Sequence, residues 1–226
     1  MSLVSYKRKR NFDVTPEPSG TKRSARRQAP SLIYVIQKHR ASHLHYDFRL
    51  EWNGVLLSWA VPKGPSLDPS VKRLATQVED HPLDYANFEG VIPEGEYGGG
   101  TVMLWDKGTW APESDDPAAA LEKGDLKFTL KGKKLKGSWV LVRTRGFGRQ
   151  PARPSWLLIK HRDQYASTGD ITEREPRSVS TRRLLVEIAH EGGGDVRKAA
   201  TGDPPAALER KLATIERGRG LSTHGS

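Results

Sequence analysis

Tyr46-Asp47-Phe48-Arg49-Leu50-Glu51-Trp52-Asn53-Gly54-Val55-Leu56-Leu57-Ser58-Trp59-Ala60-Val61 is the stretch that decides the fold. Asn-Gly between two apolar-rich runs is the strongest short-range signal for a β-hairpin, because a type I′ turn needs positive φ at both central residues. A two-residue loop pairs Trp52 with Val55, Leu50 with Leu57, Phe48 with Trp59 and Tyr46 with Val61. Successive strand side chains point to opposite sides, so all of these share one face. The other face sets Arg49 opposite Ser58 and Asp47 opposite Ala60. A slip of one residue would destroy both patterns, so the pairing is well specified. Small residues beside charged ones leave space for an ion or a ligand.

Carried back toward His39, the first strand places His43, His45, Asp47 and Arg49 on its polar face. His45-x-Asp47 at strand spacing forms a metal clip. Two ligands from one face and a third from nearby chain make half an octahedron, with positions open for water and substrate. Imidazole and carboxylate without thiolate suit manganese, iron(II) or zinc better than calcium. His39 and His43 stand beside the clip, and Arg49 is placed to fork onto a phosphate. His81 precedes a proline, which holds it extended; it reads either as a ring presented into a cleft or as a surface-loop histidine. Tyr85 taken alone reads as core packing.

The 226 residues make one domain of ordinary size with tails. Lys and Arg number 37 against 27 Asp and Glu, for a net charge of +10. Residues 1–30 hold eight basic against two acidic side chains, and residues 176–226 nine against six. The body between is near neutral, with twenty against nineteen. A neutral body with a basic arm points to a binding or catalytic core with a polyanion-seeking extension. The absence of cysteine excludes disulfides, zinc–thiolate sites, iron–sulfur clusters and thiol nucleophiles. No apolar run approaches the ~20 residues of a membrane-spanning helix, and the amino terminus lacks the apolar core of a signal peptide.

Outward from the hairpin, Leu32–Ile36, Val71–Val78, Thr101–Trp105, Leu126–Leu130, Ser138–Thr144 and Trp156–Lys160 read as strands. Asp106-Lys107-Gly108 reads as a turn, the stretch 111–124 as a surface connection with one helical turn near 118–121, and Lys131–Lys136 as a basic hairpin. Many short strands separated by turns argue for an all-β barrel or sandwich. The glycines of 95–100 precede a strand and lack a Gly-Lys-Ser/Thr ending, so they are turn chemistry rather than a nucleotide loop. From Thr168 the pattern decays, with helical stretches at 181–190 and 205–217.

Gln37-Lys-His39, His45-Tyr-Asp47-Phe-Arg49-Leu, Ser58-Trp-Ala-Val-Pro-Lys63-Gly and Val78-Glu79-Asp-His81-Pro-Leu-Asp-Tyr85 together resemble the 3′-phosphoesterase domain of bacterial DNA ligase D. So do Phe88-Glu-Gly and Ile92-Pro-Glu-Gly-x-Tyr97-Gly, and the resemblance runs from about Arg10 to about Lys160. It implies a compact, closed or nearly closed antiparallel β-barrel with few short helices. The division it implies is a basic arm over residues 1–30 that folds over the site, a barrel over 31–170, and a low-complexity, partly helical tail over 171–226.

The implied activity is a manganese-dependent hydrolase that removes a terminal ribonucleoside and then the 3′-phosphate from DNA ends during end joining. Cobalt or zinc remain open as alternatives. By motif, His39, His45 and Asp47 match the metal ligands, and His43 falls outside that set. Arg49 and His81 match the groups on the scissile phosphate and Tyr85 a further active-site residue. Lys63, Arg73 and Glu79 match supporting positions, and Arg10 and Glu17 match functional positions of the arm, where Asn11 stands in place of the family's usual aspartate. The implied setting is a bacterial cytoplasmic monomer acting on DNA or RNA-tipped 3′ ends, with an end-joining ligase, polymerase or Ku as partner and no membrane. Because no polymerase or ligase segment follows, the chain reads as a free-standing version. The alternative is a non-catalytic module that binds nucleic-acid ends.

Overall fold

The computed structural model describes residues 3–20, 31–144 and 155–211. Its strands are β1 (Leu32–Arg40), β2 (Leu44–Trp52), β3 (Val55–Val61), β4 (Arg73–Pro82), β5 (Gly90–Ile92), β6 (Gly100–Pro112), β7 (Asp125–Gly132), β8 (Lys136–Arg143) and β9 (Ser155–Lys160). Neighbours run β1-β2-β3-β4-β9-β8-β7-β6, and β6 pairs back onto β1. That closes an all-antiparallel barrel of eight strands, with β5 added along the amino-terminal half of β6. Of the two architectures the strand count allowed, the barrel is the one formed, as the resemblance implied.

The hairpin has the expected register, from Trp52↔Val55 through Tyr46↔Val61. Asn53 and Gly54 have φ of 47° and 80°, as a type I′ turn requires. Its apolar face looks into the barrel. There Phe48 stacks on Phe128 at 5.8 Å and Trp59 meets Trp156 edge-on at 5.9 Å. Trp59, Trp105, Trp139 and Trp156 are all fully buried in this interior. The bore is therefore a packed core with no room for a substrate. The polar face of β1 to β4 is the outer wall of the barrel.

Three segments differ from their sequence reading. Asp106-Lys107-Gly108 does not turn the chain, since β6 continues through it, with an irregularity in its pairing to β1 at Trp105. The buried Asp106 carboxylate takes hydrogen bonds from Tyr34 Oη (2.6 Å), Lys134 N and Leu135 N, so the barrel satisfies a residue that otherwise favours turns. At Gly108 a Cβ would collide with the Lys131 carbonyl, so the glycine marks a close approach of strands. Residues Gly90–Ile92, outside the strands read from the sequence, form β5. β4 starts at Arg73 and continues through His81 to Pro82, with Leu56 opposite His81 but Ser58 opposite Val78. One extra residue in β4 there is a β-bulge.

The helices are short. α1 (Val4–Arg8) lies in the amino-terminal arm, and α2 (Pro117–Lys123) falls in the connection where one helical turn was expected. The Asp116 side chain caps α2 on Ala119 N, and Gly124 ends it in the left-handed conformation. Beyond the barrel come α3 (Ile171–Arg174), α4 (Leu185–Glu191) and α5 (Val196–Ala200), and residues 205–211 are helical. Ile171, Leu185, Ile188, Ala189 and Ala199 join the interior core. The remainder of the helical stretch read at 205–217 lies outside the described residues.

Candidate metal centre and phosphate cradle on the outer wall

A second, smaller apolar cluster (Tyr6, Val35, Leu56, Tyr85, Phe88, Val102 and Leu104 among others) lies on the outer wall. Beside it opens a cavity of about 750 Å³ lined by His39, His45, Asp47, Arg49, Glu79, His81 and Tyr85, with Arg10 and Glu17 reaching in from the arm. β1 and β2 bring the metal donors together, because His39 lies opposite His45 and Gln37 opposite Asp47.

One ligand atom from each of His39, His45 and Asp47 falls within 4.8 Å of the others. His39 Nδ1 and His45 Nε2 both stand 3.7 Å from Asp47 Oδ2. That is too long for a hydrogen bond. It is close to the roughly 3 to 3.5 Å between adjacent donors that each sit about 2.1 Å from a shared ion. His45 Nδ1 is 3.1 Å from the His43 carbonyl, so its proton is held there and Nε2 is left with its lone pair. At His39 the nitrogen beside Asp47 is Nδ1, so the buried Nε2 on the far side of the ring carries the proton and Nδ1 keeps its lone pair for the ion. The three residues fit a divalent transition metal.

The charges are consistent with this. Burial alone would raise the Asp47 carboxyl, but Arg49, His39 and His45 outweigh it and hold the group well below the usual carboxylate range. Burial pushes the His39 imidazole down against the pull of Asp47, so the ring is neutral, as a ligand must be. At His45 the Asp47 contact outweighs burial and raises the ring in the metal-free protein.

Arg49 is almost wholly buried; three of its five N–H groups donate to oxygen and a fourth points at His81 Nδ1, which also lies 2.9 Å from the Glu79 carbonyl. Nε donates to Gln37 Oε1 (2.8 Å), Nη1 to Ser58 Oγ (2.8 Å) and toward His81 Nδ1 (2.9 Å), and Nη2 to Asp47 Oδ2 (3.1 Å). One Nη2 hydrogen remains for a ligand. The two-pronged fork expected of Arg49 thus becomes a single donor held in place by Gln37, Ser58, His81 and Asp47. Gln37 is fixed in turn, donating from Nε2 to the Tyr85 and Phe88 carbonyls.

His81 stands between two cations. Its Nδ1 faces Arg49 Nη1, and its Nε2 lies 3.3 Å from Arg10 Nη2. Burial first, then Arg49 and Arg10, lower its pKa well below the ordinary value. The bulge in β4 explains how it gets there. Val78 and His81, three residues apart, both face outward, where strict alternation would have turned His81 into the barrel.

This shift has a consequence for acid stability. The unfolded chain protonates His81 below about pH 6.5, whereas the folded protein resists until a lower pH. Between those limits the unfolded state binds more protons, so stability falls as pH drops, by up to about 1.4 kcal/mol per unit for one group. His39 acts in the same direction and His45 in the opposite one. The urea midpoint of metal-free protein should decline from pH 6.5 to 5, and His81→Asn should flatten that decline. Parallel curves for the two proteins would show that His81 is not the group responsible.

The arm completes the cavity. Arg10 donates from Nε to Glu17 Oε1 (2.9 Å), reaches Glu79 Oε1 (3.4 Å), and stacks 3.8 Å over the Tyr6 ring. Glu17 also takes bonds from Tyr85 Oη (2.9 Å) and Thr15 Oγ1 (3.0 Å). Lys9 Nζ bonds Glu79 Oε2 at 2.9 Å. Asn11 is exposed and its Oδ1 accepts from Asp13 N, closing a local turn away from the cavity. His43 is exposed in the loop before β2, outside the triad. Lys63 follows Pro62 at the rim and is exposed, and Arg73 begins β4 with its Nε buried and unpartnered. Neither of these two lines the cavity.

Gln37, Ser58 and Tyr6 were not found by reading the sequence. Period-two spacing from His39 would have found Gln37. Ser58 was placed opposite Arg49 but taken as a space-leaving residue, whereas its hydroxyl accepts from the guanidinium. Tyr6 carries no sequence signal, since only the docked arm brings it 4.9 Å from the His81 ring.

The family model described as "DNA Ligase D 3′-phosphoesterase domain" matches residues 37–143, which hold the triad, Arg49, His81 and Tyr85. The chain belongs to that family. It is 55% identical over 188 residues to the "Multifunctional non-homologous end joining protein LigD" of Pseudomonas aeruginosa, covering 81% of this chain and 22% of that protein. With the "Multifunctional non-homologous end joining DNA repair protein LigD" of Mycobacterium tuberculosis it shares 47% over 146 residues, 64% of this chain and 18% of that one. The Mycolicibacterium smegmatis relative of the first description is 37% identical over 167 residues, 72% of this chain and 21% of that protein. The chain therefore spans about a fifth of the length of these relatives. Among the described residues, no helix is long and apolar enough to cross a membrane.

Proposed function

We propose that the protein is a manganese-dependent 3′-phosphoesterase that removes a 3′-phosphate, and a terminal ribonucleoside, from DNA or RNA-tipped DNA ends. The observation that carries this reading is the convergence, in one outer-wall cavity, of a three-donor metal set with Arg49, His81 and Arg10. Manganese held by His39, His45 and Asp47 would supply Lewis-acid polarisation of a phosphoryl oxygen. Cobalt and zinc also suit two imidazoles and a carboxylate.

The protein's own groups do the rest. Arg49 aims its one free N–H at a phosphoryl oxygen, where negative charge grows as the bond from phosphorus to the leaving oxygen breaks. A phosphate among Arg49, Arg10 and His81 offsets the two guanidinium charges that, after burial, keep His81 neutral. His81 can then carry a proton to the leaving oxygen. In phosphate removal water attacks phosphorus and the 3′ oxygen leaves, giving a 3′-hydroxyl and inorganic phosphate. In ribonucleoside removal water, or the 2′-hydroxyl beside the scissile phosphate, attacks and the 5′ oxygen of the terminal nucleoside leaves. That gives a 3′-phosphate, or a 2′,3′-cyclic phosphate that water then opens. Tyr85 and Glu17 hold Arg10 in position, and Glu79 shares it from the other side. Lys63 and Arg73, which do not line the cavity, are assigned to supporting positions around it.

End-joining repair, the process in the relatives' descriptions, is the setting we assign, with an end-joining ligase, polymerase or Ku alongside. Purified protein offered a 3′-phosphorylated primer should release inorganic phosphate with manganese and none after chelation. Primer binding that survives chelation with no phosphate released would identify an end-binding module instead.

A further inference from the structure

Tyr97 has no part in the chemistry above, yet its setting is unusual for a large ring. It lies in the loop between β5 and β6, flanked at a distance of one or two residues by Gly98 (φ 80°) and Gly95 (φ 89°). Those left-handed conformations fix how the loop presents it. A Cβ added at Gly98 would stand 3.6 Å from His39 Cε1, so Tyr97 leaves the backbone one residue away from a metal donor. The ring belongs to neither apolar cluster. It is 40% exposed and lines the cavity, and among the described residues no other large aromatic does both. Two cations of the arm accompany it. Lys9 Nζ stands 4.5 Å from the ring centroid and donates to the hydroxyl at 3.2 Å, and the Arg10 guanidinium carbon stands 5.5 Å from the centroid.

A half-bare aromatic ring next to a phosphate-binding cluster, rimmed by cations, is the combination that holds single-stranded nucleic-acid ends. The cations follow the backbone and the ring stacks a base. We propose that Tyr97 is the stacking platform for the base of the terminal nucleotide. The proposal rests on the phosphoesterase reading and extends it, because it makes the substrate a nucleotide end rather than a phosphate monoester at large. Every base offers a π face, so the selection is for a base as such and not for its identity.

The test is binding of 3′-phosphorylated primers to metal-free protein, followed by fluorescence anisotropy, with the terminal nucleotide either complete or abasic. Wild type and Tyr97→Phe should bind the complete end about tenfold more tightly than the abasic one, the usual scale of one base–aromatic stack. Tyr97→Ala should bind both alike, at the abasic level. Tyr97→Phe separates the ring from the hydroxyl that Lys9 holds. Equal affinities of wild type for the two primers, or a preference retained in Tyr97→Ala, would overturn the proposal. Phosphate release by wild type with manganese, measured in parallel, reports on the phosphoesterase reading independently of either result.

Discussion

Asp47→Ala should abolish metal-dependent phosphate release and weaken metal binding by more than about a hundredfold. Losing an outer partner of a metal ligand already costs about 10- to 100-fold, and Asp47 is the one anionic donor of the three. It also neutralises Arg49, 3.1 Å away. Without it two neutral imidazoles remain beside a buried guanidinium that repels an incoming cation. Asp47→Asn keeps the shape and an oxygen donor but not the charge, and should fall between wild type and alanine in affinity. Calorimetric titration with manganese, alongside the phosphate-release assay, gives both numbers. Turnover in Asp47→Ala within tenfold of wild type would show that the metal is held elsewhere.

Arg49→Lys is the second large effect, and it isolates the phosphate cradle from the metal. An ammonium offers three donors from one point and cannot reach Gln37, Ser58, His81 and Asp47 together, as the planar guanidinium does. Losing a donor aimed at developing charge costs about a hundred- to a thousandfold in kcat, and that is the loss expected here. Manganese affinity should stay within a few-fold of wild type, because the charge beside Asp47 is kept. A kcat within tenfold of wild type would remove Arg49 from the chemistry and leave it a purely structural residue.

What the sequence disclosed followed from how local the cause was. The Asn53-Gly54 turn dictates a register, and that register puts His45, Asp47 and Arg49 on one wall and the core on the other. All of it lies within one hairpin. The barrel was narrowed from barrel-or-sandwich only by the family resemblance, since closure depends on β6 returning to β1 from more than sixty residues away. The continuation of β6 through Asp106 was misread because the partners that satisfy this carboxylate, Tyr34 and Leu135, come from distant chain. His81 stayed ambiguous for a related reason. Its direction depends on a bulge that appears only when β3 and β4 are paired. The arm's Arg10 and Glu17 were reached by resemblance alone, and Tyr6 not at all.

That bulge carries a lesson about insertions and deletions. In β4 the bulge absorbs a single additional residue, so Val78 and His81 share the wall where the donors of β1 and β2 stand although they are three residues apart. Shortening β4 by one residue between them would restore plain alternation at a spacing of two, and the histidine would stay on that wall. Adding a residue to a regular strand without a bulge to absorb it would instead turn the histidine toward the tryptophan-filled bore. A family relative with one residue fewer here can therefore keep the histidine's role, with a regular strand in place of the bulge.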